Sequence, residues 1–174
     1  MNKCAHLMGG LTAGIAASKH LLPSVSQNGS FDGLLGIGAV LCGAILGSLL
    51  PDIDHRNSYI GRKLKIASFI ISKTLGHRSV VHTPLVIFAF SALIYSLSIG
   101  LTGPIQALLT PFIYGLSCGM WSHLLLDMMT KRGIPLLYPF TKMSFRIANF
   151  KSGGMGDTIA IMGCTLLMFL MLIN

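Results

Sequence analysis

Five apolar stretches dominate the chain, each close to the ~20 residues that a helix rising 1.5 Å per residue needs to cross ~30 Å of hydrocarbon. They run from about Ala5 to Leu22, Phe31 to Leu50, Thr83 to Gly100, Ile105 to Met129 and Asp157 to Ile173, the first and last being the shortest. Pro23 to Gly29 and the pair Gly103-Pro104 read as connections, because both interrupt helical pattern with turn-forming residues. A polar stretch opens at Pro51, and within it Leu64 to Leu75 alternates apolar residues with Lys65 and Lys73, the pattern of an amphipathic helix lying on a membrane surface. The first stretch differs from a secretory leader: it carries Gly9, Gly10, Gly14 and a histidine at either end, and no leader-like apolar block, so it is expected to belong to the mature protein. The pattern predicts an all-α fold, a polytopic membrane helical bundle of about five transmembrane helices plus an interfacial amphipathic helix, as a single domain over residues 1–174.

Composition strengthens this. Only 10% of the 174 residues are charged, against about 25% in ordinary soluble domains, and the mean hydropathy is +0.72. Glycines sit inside the apolar stretches, and Gly43 to Gly47 and Gly115 to Gly119 have the spacing that lets membrane helices approach closely. The four cysteines, Cys4, Cys42, Cys118 and Cys164, form no CxxC pair, which excludes a disulfide framework or a cysteine zinc finger; buried packing is the expectation for each. The formal charge of +8 is concentrated: Lys3 precedes the first stretch, Arg56 to Arg78 lie between the second and third, and Lys131 to Lys151 lie between the fourth and fifth. The opposite connections hold none apart from Lys19, near the far end of the first stretch. Basic loops stay in the cytoplasm, so the N terminus and both long loops are expected inside and the C terminus outside. The charge excess then reflects orientation, and no nucleic-acid partner is expected.

This topology stacks four of the five acidic residues and five of the six histidines at one membrane boundary: His6, Asp52, Asp54, His55, His77, His82, His123, Asp127 and Asp157. Only Asp32 and His20 fall near the other face. Ionisable groups in or beside a bilayer cost a few kcal/mol each and persist where they pair or function. Mixed imidazole and carboxylate donors suit divalent zinc, manganese or iron. His123 and Asp127 are four residues apart on a helix and share a face, a spacing that serves a hydrogen bond as well as an ion. Asp52, Asp54 and His55 follow Pro51, which ends the regular helical ladder and frees backbone to wrap an ion, or simply makes a surface turn. His77, Arg78 and His82 add two imidazoles and a guanidinium suited to phosphate, or form a basic interfacial loop. Together they favour a metal site of His6, Asp52, Asp54, His77, His82, His123 and Asp127.

Those motifs, in that order, resemble the YdjM-like, LexA-regulated inner-membrane proteins described as metal-dependent hydrolases. The matching pieces are His6, Leu50 to His55, Gly76 to Arg78 with His82 and Thr83, and Ser122 to Pro139. Where the family commonly has glycine after the His-Arg pair and serine after the later histidine, this chain has Ser79 and Thr83. A more distant similarity is to zinc-dependent phospholipase C. It implies that His123 and Asp127 match a ligand pair on one helix, with Asp127 bridging two ions and His6, Asp52 or Asp54, and His77 or His82 completing them. The further His/Glu pair of those enzymes has no counterpart here except Asp157, which implies one or two ions, zinc first, with manganese or iron as alternatives.

The resemblance implies a membrane-bound metal-dependent hydrolase acting at the cytoplasmic rim of a bacterial inner membrane. Its expected substrate is a phosphoester of a membrane lipid or lipid-linked compound. Asp52 or Asp54 would take the water proton and Arg78 would bind a phosphate oxygen. Two other readings stand beside it. One is a non-catalytic scaffold in which metal ties the helices together; the other is an ion- or proton-coupled transporter, which would place such groups nearer the bilayer midplane.

Overall fold

The computed structural model describes residues 1–21, 31–74, 80–141 and 143–173, with only the backbone at 31 and 32. Among the described residues there are seven α-helices and no strand beyond two isolated bridges in the 129–154 segment. Helices α1 (Lys3–Leu21), α2 (Phe31–Gly47), α5 (Pro84–Ile99), α6 (Gly103–Met128) and α7 (Met155–Ile173) follow the five apolar stretches to within a few residues at each end. A 3₁₀ turn (Leu50–Asp54), the short α3 (Tyr59–Lys63) and α4 (Lys65–Thr74) lie between α2 and α5. The expected amphipathic helix is α4, with Leu75 outside the described residues. It exposes Ile66, Phe69 and Ile70 together with Lys65 and Lys73.

Helix α6 is the central element, contacted by α1, α2 and α5, while α7 packs on α1. The α2–α6 crossing is made backbone to backbone. A methyl group built on Gly43 or Gly47 would overlap the carbonyl of Phe112 or Leu116, and one on Gly115 or Gly119 would overlap that of Val40 or Ala44. Four glycines, two on each helix, remove the side chains that would otherwise hold the axes apart. Pairing of residue 40 with 115 and 44 with 119 makes α2 and α6 parallel. Helix α1 runs against both, since Gly9 faces Leu126 and Gly10 faces Ser48. Helices α1 and α7 are parallel: the Asn2 amide donates to Asp157 near their starts, the Thr12 hydroxyl to the Cys164 carbonyl further along, and Lys19 Nζ to the Met171 carbonyl near their ends. The starts of α1 and α7 therefore share one end of the bundle with the finishes of α2 and α6.

Among the described residues two helices are long and apolar enough to cross a bilayer, Gly33–Asp54, which takes in the 3₁₀ turn, and Met155–Ile173; five were expected. The shortfall has a physical cause. Helices α1 and α6 have the length but carry interior polar groups, His6 and Thr12 on one, His123 and Asp127 on the other. Apolar α5 has 16 residues, a rise of only about 24 Å. The cysteine expectation needs correction: Cys4 and Cys42 are exposed, Cys118 and Cys164 half-buried, and all four are free. Apolar surroundings in sequence mark a lipid-facing side of a helix as readily as a protein interior.

Candidate metal centre

Three chain ends converge to build the site. Pro51 cannot extend the α2 ladder, so the chain tightens into the 3₁₀ turn, in which Asp52 stays partly open while Pro51 and Asp54 are buried. Helix α5 begins at Pro84 with Thr83 as its N-cap, the hydroxyl accepting from the Val86 amide at 3.2 Å and donating to the Val80 carbonyl at 2.9 Å. That fixes the backbone immediately after His82. The last turns of α6 present His123 and Asp127 from one face. Replacing Thr83 with valine removes both hydroxyl bonds at nearly constant volume. The expected cost is about 0.5–2 kcal/mol of stability, read by thermal unfolding in detergent.

Two carboxylate oxygens, Asp52 Oδ1 and Asp127 Oδ2, each approach the paired Nε2 atoms of His82 and His123. The two imidazole nitrogens are 3.3 Å apart. From His82 Nε2 the carboxylate oxygens of Asp52 and Asp127 lie at 3.8 and 3.6 Å, and from His123 Nε2 at 3.9 and 3.5 Å. Metal–donor bonds of 2.0–2.2 Å in a tetrahedron give edges of about 3.3–3.6 Å, which the His82, His123 and Asp127 donors match, with Asp52 standing slightly further out. The ring orientation of His123 fits the same purpose. Its Nδ1 is 2.7 Å from the Ser48 carbonyl oxygen, which can only accept, so Nδ1 carries a proton and Nε2 is the nitrogen left to face a cation when the ring is neutral.

Behind this set lie further polar groups. Asp54 Oδ2 is 3.7 Å from His82 Nδ1, on the side of the ring opposite the four-donor point. His6 stacks on His123 with ring centroids 3.8 Å apart, and its Nε2 is 3.5 Å from Asp127 Oδ1. The same oxygen accepts from the α-amine of Met1 at 2.7 Å. His6 Nδ1 is buried without a hydrogen-bond partner, the condition in which an imidazole is available to a cation. The residues thus form two overlapping groups able to hold a metal, His6 with His123 and Asp127, and Asp52 with His82 and His123.

Of the residues expected at the site, the structure brings together His6, Asp52, His82, His123 and Asp127, with Asp54 behind His82. His77 and Arg78 lie outside the described residues. Asp157 stands apart from both groups, its carboxylate accepting from the Asn2 and Gly153 amides and anchoring the start of α7. Asp52, with its side chain 24% exposed, is the one opening in an otherwise buried set. It lies on the wall of a pocket of about 310 Å³ whose other lining residues include Lys3, His55, Ser58, Tyr59 and Arg62. Lys3 Nζ sits 3.4 Å from the Tyr59 ring centroid, and the Ser58 hydroxyl donates to the Asp52 carbonyl at 2.7 Å while capping α3 through the Gly61 amide. Lys3 was counted in the sequence only as an orientation signal. The serine of a helix-capping turn directly after the acidic cluster was the available clue that the chain folds back there.

The fold and site define a class: a helical membrane protein that gathers imidazoles and carboxylates, able to hold a metal ion, at one end of its bundle. The chain belongs to the YdjM inner membrane protein family, whose model matches residues 1–173. It is 37% identical over 134 residues to the inner membrane protein YdjM of Escherichia coli (strain K12), covering 72% of this chain and 66% of that protein, and equally so to YdjM of Shigella flexneri. It is 32% identical over 163 residues to the uncharacterized protein YvsG of Bacillus subtilis (strain 168), covering 92% and 88%. No solved structure matches the chain.

Proposed function

We propose that this chain is a metal-dependent hydrolase of the inner membrane, cutting a phosphoester of a lipid or lipid-linked substrate at the cytoplasmic rim. In this reading residues 1–174 are one domain with five membrane-crossing helices and the N terminus in the cytoplasm, the orientation that the basic loops favour. The observation that carries it is the cluster of Asp52, His82, His123 and Asp127 donors, buried except at Asp52, which lies on a pocket bearing Lys3 and Arg62. A closed shell would suit a structural ion; an open edge beside cationic side chains suits a substrate anion.

Asp52, His82, His123 and Asp127 would hold one divalent ion, zinc being the best match to two nitrogens and two oxygens, with manganese or iron as alternatives. His6 and the second oxygen of Asp127 offer the start of a second site. Bound there, such an ion supplies a nucleophile from water at neutral pH and offsets charge developing on phosphate oxygens. Asp52, where it is not engaged as a ligand, is the carboxylate that would take a proton from water entering by the pocket. Lys3 and Arg62 attract the phosphate, with Arg78 proposed from its place beside His77. Asp54, with Oδ2 3.7 Å from His82 Nδ1, is the carboxylate that would steady this ring once an ion is held.

The test begins with metal analysis of detergent-purified protein supplied with zinc or manganese, followed by incubation with phospholipids and isoprenyl phosphates. A stoichiometric ion and a chelator-sensitive product support the reading. An ion without any product would leave the scaffold, and no ion would end the proposal. Asp54→Asn is expected to weaken metal affinity about 10–100-fold, the usual effect of losing an outer-shell partner, measured by competition with a chelating dye.

A further inference from the structure

The Pro51–Asp54 turn separates two cavities of opposite character. Asp52 faces the polar pocket, while Pro51 and Ile53, its neighbours on either side, line a second cavity of about 250 Å³ together with Ile71 of α4, Val86 and Phe90 of α5 and Met120 of α6. Among the described residues, no polar side chain lines the second cavity. Ordered water needs two to four polar partners and finds none there, and an apolar cavity of about 150 Å³ is already enough to admit benzene. Water is the wrong occupant for this space. A hydrocarbon segment is the right one, and in a membrane protein lipid chains are the abundant source.

The cavity's walls are also the site's supports. Val81, which precedes His82, belongs to the lining, and Met120 lies three residues before His123 on α6. Helix α4, which gives Ile71 to this lining, also meets two cations: Arg56 of the preceding turn sits 4.5 Å from the Phe69 ring centroid and donates to the Ser72 hydroxyl, and α4's own Lys73 Nζ lies 5.0 Å from the same ring. A surface helix with exposed Ile66, Phe69 and Ile70 beside these charges meets both parts of an anionic amphiphile.

We infer that this cavity is a binding site for a single hydrocarbon chain of a membrane amphiphile, placing that amphiphile's anionic head on the Asp52 side of the turn. The inference rests on the proposed hydrolase reading for the fate of the head, though chain binding itself needs no catalysis. The site would select substrates by chain length, and short water-soluble phosphoesters would be poor ligands because they leave the cavity empty.

Affinity for n-alkyl phosphonates, butyl to tetradecyl, measured on the metal-loaded protein in nanodiscs tests this directly. Each added methylene buried in the cavity is expected to tighten binding about fourfold, until the cavity is filled. Ile71→Trp and Val86→Trp, which fill the cavity from two different helices, are expected to flatten that dependence while retaining the metal content of the wild type. Affinity independent of chain length in the wild type, or both variants climbing as steeply as the wild type, would overturn the inference. The two readings fail separately. A flat series on protein that holds its ion removes the chain site alone, and a steep, variant-sensitive series on protein that binds no ion removes the metal centre alone.

Discussion

Asp127→Asn is expected to abolish stoichiometric metal binding and to lower any chelator-sensitive hydrolysis by more than about 100-fold, since outer-shell partners alone are worth 10–100-fold. Both oxygens of this carboxylate are engaged in the site. One carboxylate oxygen lies 3.6 and 3.5 Å from the His82 and His123 nitrogens, and the other meets His6 and the Met1 amine. The asparagine keeps shape and one acceptor but loses the charge that a cation shell requires, and its amide offers a donor where only lone pairs serve. Metal content by elemental analysis, with circular dichroism to show retained helix, separates loss of ligation from loss of fold. A variant that keeps its full complement of ion would remove Asp127 from the shell.

The second large effect belongs to packing. Gly115→Leu would drive a side chain into the Val40 carbonyl of the parallel α2, where the obstacle is backbone and no rotamer relieves it. Overpacking usually costs 1–3 kcal/mol where side chains can shift, so a backbone clash is expected to reach or exceed about 3 kcal/mol. The same helix pair carries the 3₁₀ turn at one finish and His123 and Asp127 at the other. Separation of α2 from α6 would also withdraw the Ser48 carbonyl from His123, 2.7 Å away. Gel filtration and thermal unfolding in detergent read the first effect, and metal content the second; Gly38→Leu, at a position where an added Cβ meets nothing, is the matched control.

Much of this was legible in the amino-acid order. Apolar runs and basic loops gave the five long helices and brought the histidines and aspartates to one level, because helix length and charge asymmetry are local properties. The four glycines of the α2–α6 crossing were legible for the same reason. Side-chain direction within the 3₁₀ turn was not. Whether Asp52 or Asp54 faces the shell depends on how Pro51 redirects the chain, and Asp54 instead lies on the far nitrogen of His82. The stacking of His6 on His123 likewise depends on α1 crossing α6 near Gly9 and Leu126. The cysteines were misread because hydropathy cannot tell a lipid-facing position from a protein-facing one. Lys3 was read only as a topology signal, since the pocket joining it to Asp52 exists only once the chain has turned at Ser58.

X-ray absorption at the zinc edge of the zinc-loaded protein tests the central claim most directly, because it reports the identity and distance of the atoms around the ion. The account predicts one tightly held zinc per chain with imidazole nitrogens and carboxylate oxygens at about 2.0–2.2 Å, and loss of the imidazole signature on replacing His82 and His123. A shell dominated by sulfur at about 2.3 Å, or one unchanged in that double variant, would contradict it.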